Sequence, residues 1–347
     1  MQRPARLKSK QWNSGSTASR LAVSLLLAAI LVTVLGAALL YQGRTDGDVT
    51  TIIIPRGASL AKVSEILEEN GIIEKPGLFK TILRLTGGST RVRAGEFRFR
   101  KHMRTIDALV VLYHDEPIVY HVTIPEGWTV RQISELLAAQ NLINKMRFLE
   151  LSLTESAARK YGITAPSLEG FLYPDTYDFS KIDGEDRVIE RMVQRFLQVY
   201  ERELKGEAAN KKMSLLDLVT FASIVEKETG NASERELVSS VFHNRMKKKM
   251  RLQSDPTTIY GIPDFNGNLT RAHLLSYSPY NTYVIPGLPK GPIASPGLAS
   301  LRATLRPAQT NYLYFVANKK GGHVFSETYT QHVRYVNSYQ KRGGGSH

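Results

Sequence analysis

The chain has 347 residues, enough for two modest domains, and its 42% hydrophobic and 22% charged residues are typical of a folded protein. An excess of 46 Lys and Arg over 32 Asp and Glu gives a net charge of +14, which suits an anionic polymer or lipid surface. The lack of cysteine excludes disulfides and a thiol nucleophile, and without the basic and aromatic signature of a nucleic-acid-binding module we expect no nucleic-acid partner.

Residues 21–41 predict a single transmembrane helix, because positions 21–40 carry no charge and match the hydrocarbon thickness of a bilayer. Residues 1–20 hold basic but no acidic side chains, so they are predicted to stay in the cytoplasm while the rest of the chain lies outside the cytoplasmic membrane. The alternative is a cleaved signal peptide. It is disfavoured because the apolar run is long and no small-x-small cleavage site follows it.

Two segments 70 positions apart, 51–73 and 121–143, share a β-branched run, an Ile-Pro-x-Gly turn and a helical pattern of apolar residues. Ser59 and Thr129 stand at the predicted helix N-caps. This strand–turn–helix pattern is similar to the LysM module, a glycan-binding fold. We therefore expect a LysM-like βα subdomain at 48–118 and a second βα repeat at 119–165, with a packing role alone as the alternative.

The stretch 214–230, SLLDLVTFASIVEKETG, predicts a largely buried helix with Ser214 at its N-cap and Gly230 at its C-cap. Glu226 follows apolar residues at spacings of 4, 7 and 11, which places it on an apolar stripe. Glu228 lies about 200° further round the helix and is predicted to be a solvated terminus. A carboxyl group on a dry stripe favours its neutral form, the form that protonates a glycosidic oxygen. The alternative is an ordinary helix end.

Polar and aromatic side chains cluster after the next predicted helix and in the proline- and glycine-rich stretch 280–297, which is stiff enough to wall a cleft. The candidate substrate-binding residues are Asn244, Gln253, Ser254, Asp255, Thr257, Tyr260, Asn281 and Tyr283. We interpret Tyr260 as a sugar-stacking ring, and Asp255 also as the residue that organises its own turn. The chain has no zinc-binding, P-loop or serine-hydrolase motif, so we predict no metal and no cofactor.

Several motifs together resemble the YceG-like family of MltG-type endolytic murein transglycosylases, and their order agrees as well. They are ASIVEKET at 222–229, HNR at 243–245, LQSDPT at 252–257, YNTY at 280–283 and the ending 311–332. The resemblance implies an α+β protein with one N-terminal transmembrane helix, a LysM-like subdomain and a mixed α/β catalytic domain at 119–341, with its core at 166–341.

The same resemblance implies that the substrate is the β-1,4 bond between N-acetylmuramic acid and N-acetylglucosamine within peptidoglycan strands, which the enzyme would terminate or trim. It assigns Glu226 as the acid that protonates the leaving oxygen and then, as a base, deprotonates the muramyl C6 hydroxyl, giving a 1,6-anhydro end. Because this nucleophile belongs to the substrate, no second catalytic carboxylate is required, and Asp255 and Glu228 are the remaining candidates for a second role. Peptidoglycan synthases are the protein partners that the family suggests. A lysozyme-like muramidase and a non-enzymatic peptidoglycan-binding scaffold are the alternatives.

Overall fold

The computed structural model describes residues 15–40, 46–85 and 92–340. Most of the predicted cytoplasmic tail, residue 41 of the predicted transmembrane span and residue 341 lie outside these ranges. Helix α1 (Gly15–Leu40) contains an apolar window, Leu21–Ala38, that is long enough to cross a membrane and is not buried by the rest of the chain. A signal sequence passes the same test, but a helix of this length and exposure fits a single-pass anchor.

Beyond α1 the described residues form a mixed α/β protein, as predicted, in which the strands pair into three antiparallel two-stranded sheets. The chain divides into two compact units, residues 1–118 and 119–347. The first unit contains, after α1, the elements β1 (Val49–Ile54), α2 (Leu60–Glu69), α3 (Pro76–Leu85), β2 (Gly95–Arg100) and α4 (Thr105–His114).

The core of the first unit follows from the alternation of its two strands. Ile52 and Ile54 on β1 are buried, and Ile52 lies opposite Phe97 of β2, whose side chain is also buried. Alternate residues of a strand point to opposite faces, so the apolar face packs inward under the helices and the other face carries the exposed Arg98. Ser59 caps α2 by accepting a hydrogen bond from the backbone of Lys62, as predicted.

The second unit begins with another strand, turn and helix. Strand β3 (Tyr120–Thr123) pairs with β4 (Thr176–Phe179), and Thr129 caps α5 (Val130–Ala139) in a reciprocal capping box with Gln132. The predicted strand–turn–helix unit is thus present in both copies. The elements up to the central helix are β3, α5 (Val130–Ala139), α6 (Lys145–Glu150), α7 (Glu155–Lys160), β4 (Thr176–Phe179), α8 (Gly184–Val199), a π-helical turn (Tyr200–Leu204) and α9 (Lys205–Asn210).

Helix α10 (Leu215–Glu228) is the central element of the second unit. Its N-cap is Ser214, as predicted, but its C-cap is Thr229 in an extended conformation rather than Gly230. The helix is apolar nearly all round, and it lies between two cores that bury this surface. Leu218 and Val219 join the larger core, whereas Phe221 belongs to a smaller one on the other side. Both sides of the apolar surface are therefore covered by protein, including the side on which Glu228 lies.

The remaining elements build the surroundings of the α10 C-terminus. They are a 3-10 turn (Ala232–Glu234), α11 (Arg235–Lys247), α12 (Asp255–Tyr260), α13 (Arg271–Leu275), α14 (Leu298–Leu305), β5 (Tyr314–Ala317), β6 (His323–Ser326) and α15 (Tyr329–Tyr339). Helix α14 packs along α10, and β5 and β6 form a hairpin that packs against α15. The proline-rich stretch 280–297 carries no helix or strand.

Candidate active site

Glu228 lines a cleft of about 290 Å³ at the end of α10, together with Arg245, Gln253, Asp255 and Tyr283. The Ser254 hydroxyl donates a hydrogen bond to its carboxylate Oε1. Burial raises the pKa of Glu228 to about 7, although the Ser254 hydrogen bond and nearby cationic groups act in the opposite direction. The prediction of a solvated terminus at Glu228 is wrong, because the segment before α12 covers this side of the helix.

The segment that covers Glu228 (Gln253 and Ser254) is fixed by hydrogen bonds to Thr282. The Thr282 hydroxyl accepts a hydrogen bond from the Ser254 backbone N–H at 3.0 Å, and the Thr282 carbonyl accepts one from Gln253 at 3.2 Å. Gln253 has a positive φ of 52°, which turns the chain at this point. The predicted segments at 252–257 and 280–283 thus meet, and the contact fixes the position of Ser254 against the Glu228 carboxyl group.

Arg245 supplies a buried positive charge on the cleft wall. Its guanidinium donates to the carbonyls of Leu313 and Leu252, both at 2.7 Å, and lies 5.3 Å from the ring centroid of Tyr314. It forms no salt bridge with any carboxylate in the described part of the chain. Its charge lowers the pKa of Glu228 and would stabilise the carboxylate that remains after Glu228 gives up its proton.

An aromatic wall faces these polar groups. The Tyr283 hydroxyl donates to Asp255 Oδ1 at 2.6 Å, so both predicted residues lie together at the cleft, as does Gln253. The motif-based prediction singled out no residue from the C-terminal segment, yet His332 and Tyr314 also line the cleft and stack with ring centroids 5.2 Å apart. Their signal was present in the motif at 311–332, which is rich in aromatic residues and ends in Thr-Gln-His.

Three other predicted substrate-binding residues do not line the Glu228 cleft and instead form hydrogen bonds to backbone carbonyls. Asn244 donates through its side-chain amide to the carbonyls of Thr310 and Tyr312. Asn281 is 1% exposed and donates to three carbonyls of the segment 273–276, and Thr257 is buried and donates to the Ser254 carbonyl. These hydrogen bonds hold the loops around the cleft, and the sugar contacts predicted at these positions stay predictions.

Tyr260 lies at a different cleft. Its hydroxyl donates to Glu169 Oε2 at 3.1 Å, and its ring packs at a tilt against Tyr280 with centroids 4.7 Å apart. Tyr260 therefore does not line the cleft that Gln253 and Asp255 line, and its role as a sugar-stacking ring stays a prediction. Glu169, which sequence reasoning did not single out, is buried, and burial raises its pKa to about 7.

Glu226 occupies a third environment. Its side chain is 7% exposed; Oε2 accepts a hydrogen bond from the Gly297 backbone at 3.1 Å, and Oε1 lies 3.6 Å from the guanidinium of Arg235. Arg235 lies equally close to Glu126, whose pKa is raised by burial and by the charge of Glu226. The expected dry stripe therefore contains a cation and a backbone donor, and Glu226 does not line the Glu228 cleft.

The neighbouring Lys227 donates to the carbonyl of Gly127 at 3.2 Å, in the Pro-x-Gly turn of the second repeat. Together with the Arg235-mediated link between Glu226 and Glu126, this contact ties the end of α10 to that turn and to the start of α14. The arrangement explains why a carboxylate at position 226 suits an otherwise apolar helix. In the ranges that the structure describes, no cluster of His, Asp and Glu side chains is arranged to hold a metal ion.

The chain is similar to known proteins over most of its length. The model of the YceG-like family matches residues 52–338. A protein of Bacillus subtilis named endolytic murein transglycosylase is 31% identical over 322 residues, covering 88% of this chain and 89% of the relative. A Streptococcus pneumoniae protein of the same name is 29% identical over 311 residues, covering 79% of this chain, which spans 55% of that relative.

Among solved structures, a YceG-like protein of Listeria monocytogenes matches with a TM-score of 0.57 and 32% identity, covering 82% of this chain and 98% of that protein. The region that the family model matches includes both of the predicted glutamates and every candidate substrate-binding residue. The resemblance inferred from the order of the motifs is confirmed: the chain belongs to the YceG-like family.

Proposed function

We propose that this protein is a membrane-anchored endolytic murein transglycosylase, which cleaves the β-1,4 bond between N-acetylmuramic acid and N-acetylglucosamine and leaves a 1,6-anhydro end. The names of the Bacillus subtilis and Streptococcus pneumoniae relatives support this activity. The observation that carries it is the Glu228 carboxyl group, whose pKa of about 7 keeps a neutral acid available in a polar, aromatic-walled cleft.

The catalytic acid in this proposal is Glu228, whereas the motif resemblance had assigned Glu226. Gln253, Asp255 and Tyr283 line the cleft beside Glu228, and Ser254 contacts its carboxyl group directly. Glu226 instead accepts a backbone hydrogen bond and lies beside Arg235, contacts that fit a structural role. A raised pKa and nearby hydrogen-bonding side chains are together characteristic of an acid–base residue, and Glu228 has both.

The reaction needs two proton transfers, one from Glu228 and one to it. Glu228 donates its proton to the glycosidic oxygen as the bond from that oxygen to muramyl C1 breaks, and N-acetylglucosamine leaves with a hydroxyl group. The Glu228 carboxylate, stabilised by Ser254 and by the charge of Arg245, then accepts the proton of the C6 hydroxyl as O6 bonds to C1. Glu228 ends in its starting form, and no water is consumed.

Mass spectrometry of the products tests this reaction. Muropeptides released from peptidoglycan should carry 1,6-anhydro ends, which are lighter by one water than the reducing ends that a lysozyme-like muramidase produces. Cuts within strands, rather than only at their ends, are expected for an endolytic enzyme. Reducing ends alone would favour the muramidase, and the absence of any new ends would favour a non-enzymatic scaffold.

The pH dependence of cleavage follows from the Glu228 pKa of about 7. Because the raised pKa keeps the group protonated below that pH, kcat/KM should fall by about tenfold per pH unit above pH 7 as the acid is lost. Ser254→Ala removes a hydrogen bond that favours the carboxylate, so the alkaline limb should move to higher pH in that variant. A limb that stays in place would show that another group controls the reaction.

The rest of the chain would bring this site to the wall. Residues 1–20 carry only basic charges, which supports a cytoplasmic N-terminus, with the second unit outside the membrane where peptidoglycan lies. A LysM-like, glycan-gripping role for residues 48–118 is supported by the repeated strand–turn–helix pattern and by exposed Arg98 and Arg100 on β2. Peptidoglycan synthases as partners rest on the family resemblance alone.

A further inference from the structure

A second cleft, of about 600 Å³, lies elsewhere in the second unit and shares no lining residue with the Glu228 cleft. Glu169 and Tyr260 form its polar lining, and Leu153 and Phe265 contribute apolar surface. A cavity of this size is in the range of small-ligand sites, which are mostly apolar with a few fixed polar groups. The proposed cleavage mechanism uses none of these residues.

Hydrogen bonds hold the polar lining of this second cleft in place. Glu169 is 2% exposed; its Oε1 accepts a hydrogen bond from the Val130 backbone at 3.0 Å, and its Oε2 accepts one from Tyr260. Burial raises the pKa of Glu169 to about 7, so a substantial fraction is neutral at physiological pH and has a proton to donate. The Tyr260 hydroxyl donates its hydrogen bond to Glu169, so its oxygen can accept a hydrogen bond from a ligand N–H or O–H.

Two opposite charges complete the lining. Arg131 and Asp264 both line the cleft and are both exposed. Within the residues that the structure describes, neither side chain forms a hydrogen bond or a salt bridge, with the other or with any third group. A ligand that matches this surface carries a carboxylate for Arg131, an ammonium group for Asp264 and an alkyl body for the apolar walls. A short zwitterionic peptide has this combination, whereas a neutral sugar lacks both charges.

We propose that this second cleft binds a stem peptide of peptidoglycan, a short chain with free carboxylates and, at its diamino acid, a free amine. The identity of the ligand rests on the proposed function, because the stem peptide is the zwitterionic part of that substrate. Helix α12 connects the two sites: Asp255 at its start lines the Glu228 cleft and Tyr260 at its end lines this one.

The two clefts lie at opposite ends of one short helix. Asp255 and Tyr260 are separated by about 7.5 Å along the axis of α12, at a rise of about 1.5 Å per residue. In this proposal a strand held for cleavage at Glu228 places a nearby stem peptide in the second cleft, which would make the enzyme select strands by their peptides.

Binding of a synthetic stem tetrapeptide, with free carboxylates and a free side-chain amine, tests the proposal by calorimetry on the full-length chain in detergent. Arg131→Gln and Asp264→Asn should each weaken the affinity by about tenfold, the effect of losing one charge-assisted hydrogen bond. Arg187→Gln is the matched control, because Arg187 is an exposed arginine on α8 that does not line the cleft. Its affinity should equal that of the wild type.

Two results would overturn the proposal: equal peptide affinity in the Arg131→Gln, Asp264→Asn and Arg187→Gln proteins, or no saturable peptide binding to the wild type. Tight binding of a peptide-free glycan that depends on Arg131 would also contradict it, since it would make the cleft a sugar site. The free peptide contains no glycosidic bond, so its binding is independent of cleavage. A failure of the Glu228 assignment would therefore be seen separately, in the cleavage assay.

Discussion

Replacing Glu228 with Gln is expected to reduce murein cleavage by about 10³-fold, within the range that general acid–base catalysis contributes. The amide keeps the shape of the side chain and can still accept the Ser254 hydrogen bond, but it has no proton of suitable acidity for the glycosidic oxygen. The rate is measured as release of anhydro-muropeptides from purified peptidoglycan by chromatography. Unchanged thermal unfolding of the variant would separate the chemical loss from a folding defect.

Glu226→Gln is the matched comparison, on the same helix and two residues away. The amide oxygen of the substituted side chain can still accept from Gly297, so the variant loses mainly the charge opposite Arg235. We expect a loss of activity no greater than about tenfold, since an ion-paired group is removed without touching the cleft. If Glu226→Gln removed cleavage while Glu228→Gln retained it, the assignment of the acid to Glu228 would be wrong and the motif-based one right.

Gly170→Ala is expected to destabilise the second unit by about 2–4 kcal/mol, the combined cost of an unfavourable backbone and an overpacked core. Gly170 has a φ of +84°, and a Cβ atom there would lie 2.5 Å from Pro292 Cβ and 2.9 Å from Val219 Cγ1. Neither neighbour can move easily, because Val219 and Pro292 are both buried. The backbone must shift, and Glu169 shifts with it.

Thermal unfolding of the full-length protein measures the effect, and Gly162→Ala is the control. Gly162 has a similar φ of +73°, but a Cβ atom at that position meets nothing within 4 Å. This control loses only the backbone preference, about 1 kcal/mol, so the difference between the two variants isolates the close approach. Equal melting temperatures for the two variants would show that the core around Gly170 is loosely packed.

Local features of this protein were predictable from the sequence because short-range physics decides them. The apolar run 21–40 predicts a long helix, and α1 contains it. Ser59, Thr129 and Ser214 were predicted as N-caps, and each accepts a hydrogen bond from a backbone N–H three residues later. The order of the motifs over 222–332 was enough to identify the family, because it samples many positions at once.

The choice between the two glutamates could not be made in the same way. Helical geometry correctly predicted that Glu228 and Glu226 lie on different sides of α10. It could not show that a second core and the segment before α12 cover the side on which Glu228 lies. The burial of a carboxyl group depends on what packs against it, and here the contacts come from far along the chain: Ser254 for Glu228 and Gly297 for Glu226, 26 and 71 positions away.

The same reason applies to the other candidate site residues. Asn281 and Thr257 are polar residues in motifs, and sequence alone does not distinguish a side chain that holds a loop from one that binds a sugar. Tyr260 lines a separate cleft because it lies at the end of the short helix α12, where its hydroxyl contacts Glu169, 91 positions earlier in the chain. The sequence by itself determined the N-caps of three helices, the apolar segment of α1 and the family. Only the tertiary structure decided which carboxyl groups are buried and where each cleft lies, since desolvation and hydrogen bonding depend on contacts between distant segments.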